Sequence, residues 1–232
     1  SVIYAVIIMN TRTIASANKN YKKGVSPLLK WPALLLSYIF HPIFIPLYVI
    51  IFLVYIHPSY FAGFADPLKL RTILIVVQNA VFYPLFCVVL LKAIGFIDSL
   101  YLRTQKDRII PYIASGIFFF FSFIVFKQQE LYPRILPTFV LGVFLASSAA
   151  LIANIYFKIS MHAIGLGGWL GIFLVIAGTN SMLMTWPVAS VLLITGLVCS
   201  SRLLVSDHST KDLYAGLLMG LAGQFVAAYI LL

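Results

Sequence analysis

Long apolar runs broken by short polar clusters set the pattern of this chain. Seven runs, near 33–56, 72–97, 109–126, 135–157, 164–179, 183–201 and 212–232, approach or exceed the roughly 20 residues that a helix needs to cross a bilayer. Backbone exposed to lipid must satisfy its own hydrogen bonds, so runs of this length predict helices. The expected fold is all-α, a polytopic transmembrane helical bundle of six to seven spans forming one domain over residues 31–232.

Residues 1–30 read differently. The apolar stretch Ser1 to Met9 is too short to span, and Arg12, Lys19, Lys22, Lys23 and Lys30 follow it. This predicts a basic interfacial arm with its lysines among head groups. The charges follow the apolar run instead of preceding it, unlike a cleaved signal peptide. In the first span, His41-Pro42 and Pro46 predict a bend, with His41 at a head group, and His57 falls in the next loop as a solvated residue. Gly216, Gly220 and Gly223 give the last span a small-residue face for close helix packing.

Composition narrows the class further. Charged residues make up 9% of the chain and hydrophobic ones 62%, where soluble domains carry about 25% charged. Cys87 and Cys199 both lie inside apolar runs and make neither a disulfide frame nor a zinc pattern. The net charge of +10 is not interleaved with aromatics outside the membrane, so its expected partners are anionic lipid head groups and not nucleic acid.

Polar residues gather in three islands, at 103–111, 158–162 and 201–212. Two spans separate each island from the next. An even number of crossings returns the chain to the same face, so all three islands can build one site. The third island is the most informative. Ser201-Arg202 is followed after five residues by His208 and after three more by Asp212. Ionisable groups at a membrane boundary are costly and point to function. If Asp212 opens a helix, the i,i+4 spacing puts it on the face of His208, where its carboxylate can fix one tautomer and favour the cation. Arg202 suits an oxyanion such as phosphate.

This third island resembles the third signature of the type 2 phosphatidic acid phosphatase (PAP2) superfamily, Ser-Arg-(five residues)-His-(three residues)-Asp, at every specified position. The family's second signature is Pro-Ser-Gly-His; here Ile159-Ser160-Met161-His162 keeps the serine and the histidine. Its first is Lys-(six residues)-Arg-Pro. In this chain Arg108 precedes Pro111 by three positions and Tyr101 stands seven before Arg108, leaving Lys106 or Arg103 for the lysine's place. The likeness covers about residues 70–232.

The resemblance implies a PAP2-like bundle and a phosphatase with no metal and no cofactor. His208 would attack phosphorus, Asp212 would orient it, and His162 would protonate the leaving oxygen. Arg202, Arg108 and one of Lys106 or Arg103 would neutralise the equatorial oxygens, with Ser160 donating a hydrogen bond. A site at an interface, reached between helices, takes a phosphorylated lipid: phosphatidic acid, phosphatidylglycerol phosphate, a polyprenyl diphosphate or a lipid A phosphate. The rival from another class is a transporter that binds an anion or lipid through the same cations without cleaving it. Basic residues of the arm outnumber Lys69, Arg71, Lys127 and Arg134 opposite, which by the positive-inside rule argues for a cytoplasmic site. Bacterial members of the family commonly face the periplasm, and the resemblance therefore implies a multi-pass bacterial inner-membrane protein with a periplasmic site.

Overall fold

The computed structural model describes residues 26–97, 105–180, 182–206 and 208–232. Arg103 and nearly all of the basic arm lie outside the described residues; Lys30 falls within the first helix. Described residues form helices and connecting turns, with seven helical segments long and apolar enough to cross a membrane. The chain is a polytopic helical bundle.

The first span, Pro27–Ile56, is broken as its prolines require. Helix α1 (Pro27–Ile39) starts at a Ser26 cap with Pro27 in its first turn. It stops at Phe40, because Pro42 cannot supply the N–H that continuation needs. A turn of 3-10 helix (Pro42–Phe44), α2 (Ile45–Ile51) and a π-helical turn (Phe52–Ile56) then carry the span to Ile56. The second span comprises α3 (Asp66–Val77) and α4 (Tyr83–Ala93) joined by a π-helical turn at Gln78–Phe82. The remaining spans are single helices: α5 (Gln105–Gln128), α6 (Ile135–Tyr156), α7 (Met161–Thr179), α8 (Thr185–Val205) and α9 (Thr210–Leu231).

Helices α6, α7 and α9 form the centre, and α6 and α7 are the most deeply buried spans. A helix apolar on every face fits that position. Small residues let α9 approach α7 closely. A Cβ on Gly220 would fall on the Ile164 carbonyl oxygen, and one on Gly167 would fall on the Leu217 carbonyl. The small-residue face anticipated on α9 is thus an inter-helix contact, as in membrane packing generally. Its upper end matters most for function. Gly216 sits against Ala163 and the Ser160 carbonyl, so the start of α9 rests on the start of α7.

Deeper in the bundle, the Gln224 side chain is fully buried and donates to the Phe139 carbonyl at 3.3 Å, tying α9 to α6. At the face that carries the islands, Gln105 Nε2 donates to the Asn154 carbonyl at 2.7 Å. Asn154 Nδ2 donates back to the Gln105 carbonyl at 2.8 Å. This reciprocal pair fastens the start of α5 to the end of α6.

Candidate active site

Four helix ends converge at that face. The α5 start carries Asp107 and Arg108, the α7 start carries Ser160 and His162, the α8 end carries Arg202, and the α9 start carries His208 and Asp212. Arg108 Nη1 donates to the Ile159 carbonyl at 3.0 Å, which joins the first island to the second. Arg108 also lies within electrostatic reach of Asp107 and Asp212. Arg202 faces Arg108, and both cations act on His208 together with Lys158. Arg202 Nε is buried without a hydrogen-bond partner among the described residues.

His208 is 6% exposed. Its Nδ1 stands 3.6 Å from Asp212 Oδ2, an ion-pair distance and longer than a hydrogen bond. The same carboxylate oxygen accepts from the Ser209 N–H at 2.8 Å, while the Ser209 hydroxyl accepts from the Asp212 N–H. Asp212 therefore closes a capping box at the start of α9 and faces His208 besides. Ser209-x-x-Asp212 is a readable capping signal that the functional motif overshadows. Burial, with the cations Arg202, Arg108 and Lys158, pushes the His208 pKa down to about 4 against the pull of Asp212. The imidazole is neutral near pH 7, with its Nε2 on the side away from Asp212.

Ser160 is fully buried and caps α7, its hydroxyl accepting from the Ala163 N–H at 3.4 Å and keeping its own hydrogen to donate. His162 follows in the first turn and lies within electrostatic reach of Arg202 and His208. Its Nε2 is 3.0 Å from the Ser37 carbonyl. A carbonyl only accepts, so Nε2 carries the proton and Nδ1 is the ring atom left for other chemistry.

The structure thus brings together Arg108, Ser160, His162, Arg202, His208 and Asp212. Lys106 is exposed on the first turn of α5, whereas Lys158 lies within reach of His208. Two groups were missed in the sequence. Lys158, inside the second island, is one. The other is the elbow of the first span, where the rings of His41 and His162 meet edge to face at 5.2 Å. His41 is not a head-group contact at the span entrance: Gly165, one turn beyond His162, leaves room for Pro42 and draws the elbow against α7. The break in the first span frees carbonyls that hydrocarbon cannot solvate, and His162 and Tyr48 take those of Ser37 and Ile39. His57 also departs from expectation. It is buried, stacked on Tyr60 at 4.4 Å, and burial lowers its pKa.

The seven described spans and their even crossings put these groups at one membrane face. No protein-family model, curated protein or solved structure matches the chain.

Proposed function

We propose that this protein is an integral-membrane lipid phosphatase of the PAP2 type, acting through a phosphohistidine. The observation that carries the reading is the convergence of Arg108, Arg202 and Lys158 on a buried, neutral histidine with a carboxylate behind it. Like charges gathered in a poorly solvated site repel strongly, and a phosphate with its equatorial oxygens among them relieves that repulsion. A site built only to bind an anion has no need of a histidine–carboxylate pair.

In the proposed reaction His208 Nε2 attacks phosphorus as the P–O ester bond breaks. The substrate enters as a phosphate monoanion and passes its proton to His162 Nδ1, which gives it to the departing alkoxide while the Nε2–H stays held by the Ser37 carbonyl. Asp212 stabilises positive charge on His208 as the P–N bond forms. The Ser160 hydroxyl donates to a phosphoryl oxygen. Water then attacks the phosphohistidine, His162 removes its proton, and phosphate leaves with His208 restored. The transferring group needs positioning and positive charge, which two guanidinium groups and an ammonium supply.

The substrate is a phosphomonoester or diphosphate on a lipid, since the site residues lie at the ends of membrane spans. We place the protein in a bacterial inner membrane with the site on the periplasmic face. Phosphate release from a panel of lipid phosphates by the purified protein, set against His208→Ala, tests the reading. Binding of lipid phosphate without release by the wild type would favour the transporter alternative.

A further inference from the structure

The first span carries none of the three polar islands, yet it makes two contacts with the ring of His162. The first is through a carbonyl that the proline break sets free. In an unbroken helix the Ser37 carbonyl would accept from the His41 N–H, four residues on. Here the His41 N–H turns to the Tyr38 carbonyl at 3.3 Å, and Pro42 has no N–H to offer. The Ser37 carbonyl is left for His162 Nε2, at 3.0 Å.

The second contact is the His41 ring. It meets the His162 ring edge to face, with centroids 5.2 Å apart and planes at 82°. His41 is itself held in place. Its Nδ1 caps the 3-10 turn by accepting from the Ile43 N–H at 3.4 Å, so the ring is neutral with its proton on Nε2. Phe44 packs on it edge to face at 6.4 Å, and Pro42 against Gly165 seats the elbow on α7. Arg202 lies within electrostatic reach of both imidazoles, so a neutral neighbour suits a histidine that gains a second proton during the reaction.

One hydrogen bond leaves an imidazole free to turn about the N–H···O axis. A ring set against its plane removes that freedom. Resting on the phosphatase reading, we infer that His41 is a positioning residue for the general acid, holding the His162 ring so that Nδ1 faces the leaving oxygen. His41 acts through His162 alone and touches neither phosphorus nor the leaving group. A misplacement of about 1 Å in a reacting group can cost on the order of 10²-fold in rate. The broken first span, outside all three signatures, is thus what aims the proton.

The test uses the full chain in detergent and three substitutions. His41→Asn keeps an acceptor for the Ile43 N–H but removes the ring, His41→Leu fills the space without a ring, and His41→Phe keeps a ring without the cap. Both ring-less variants are expected to lose roughly ten- to a hundredfold in kcat on an alkyl lipid phosphate. That loss exceeds their loss on p-nitrophenyl phosphate by about tenfold, since a phenolate leaves with little protonation. His41→Phe recovers most of it. In a His162→Ala background His41→Leu adds less than about twofold, because no ring remains to be aimed.

Equal losses on the two substrates, the mark of a folding defect or of direct phosphate contact, overturn the inference and leave the phosphatase reading intact. So do a loss that multiplies in the His162→Ala background, a His41→Phe as impaired as His41→Leu, and ring-less variants that fail to fold. If the wild type hydrolyses no phosphate ester, the phosphatase reading falls. Nitrogen-15 spectra of histidine-labelled protein then decide the contact, with His162 assigned from His162→Ala. One fixed His162 tautomer in the wild type and His41→Phe, averaged in His41→Leu, upholds the positioning; a tautomer still fixed in His41→Leu overturns it.

Discussion

At the scale of single residues, the two histidines at the site are set apart by what holds them. His208 faces a carboxylate and His162 a backbone carbonyl, which suits a nucleophile and a proton donor respectively. Proton donation matters in proportion to the basicity of the leaving oxygen, and is worth about 10²–10⁴-fold. His162→Ala is therefore expected to lose about that factor on an alkyl lipid phosphate while retaining turnover, or a burst of p-nitrophenol, on p-nitrophenyl phosphate. His208→Ala is expected to be inactive on both. Rescue of His208→Ala but not His162→Ala by the activated ester would reverse the roles. The depressed pKa of His208 gives a second expectation. Activity falls with its protonation near pH 4, not near 6.5, and Lys158→Met, by removing a repelling cation, moves that acid limb to higher pH. Lys106→Met leaves it in place, so a pH–rate profile separates the two lysines. Because the unfolded chain protonates this histidine near pH 6.5 and the folded one only near 4, its effect on stability is a loss as pH falls between those values. The Ser-Arg, His, Asp spacing was legible in the sequence because those residue types are rare in apolar chain. That Lys158 lies within reach of His208 while Lys106 is exposed was not, since it depends on which side of a helix end faces inward. His41 beside a proline reads as a head-group contact in the sequence; the packing of Pro42 against Gly165 brings it instead to His162.

At the scale of elements, the site is positioned by how closely α7 and α9 approach. All seven spans were legible from apolar runs alone, because length against bilayer thickness is a strong constraint. The helices extend several residues beyond the apolar runs where they start on polar residues, such as Gln105 to Arg108. The internal break of the first span was legible from Pro42, but not its docking on α7. Nor did periodicity reveal which spans form the centre, since α6 and α7 are apolar on all sides. The glycine contacts supply a test. At Gly220 an added methyl meets the backbone of Ile164, which cannot rotate away, whereas at Gly196 on α8 it meets open space. Gly220→Ala is expected to cost about 1–3 kcal/mol through overpacking and to depress activity by moving the His208 end of α9 from the Ser160 end of α7. Gly196→Ala is expected to be neutral or mildly stabilising, as alanine is the better helix former. Thermal unfolding in detergent, read beside phosphate release, checks both. Equal effects from the two would mean that the α7–α9 approach does not hold the site.

At the scale of the whole molecule, crossing parity makes the composite site. The connections after the second, fourth and sixth spans lie on one face, and those after the first, third and fifth on the other. A bundle with one span fewer between the first and second islands would put His162 and Arg108 on opposite sides of the bilayer. The same parity makes orientation an all-or-none property, so a single label decides where the chemistry occurs. Cys87 and Cys199 are only partly buried and must first be replaced by alanine. In that background Phe157→Cys reports the face of the site, and Gln129→Cys and Met182→Cys report the other. With the periplasmic placement, a membrane-impermeant maleimide added to intact cells labels Phe157→Cys, and labels Gln129→Cys and Met182→Cys only after lysis. The reverse pattern moves the chemistry to the cytoplasm, in line with the basic arm and the positive-inside rule, and leaves the composite site standing. Labelling of Phe157→Cys and Gln129→Cys from the same side would break the parity, and with it the case that the three islands act as one centre.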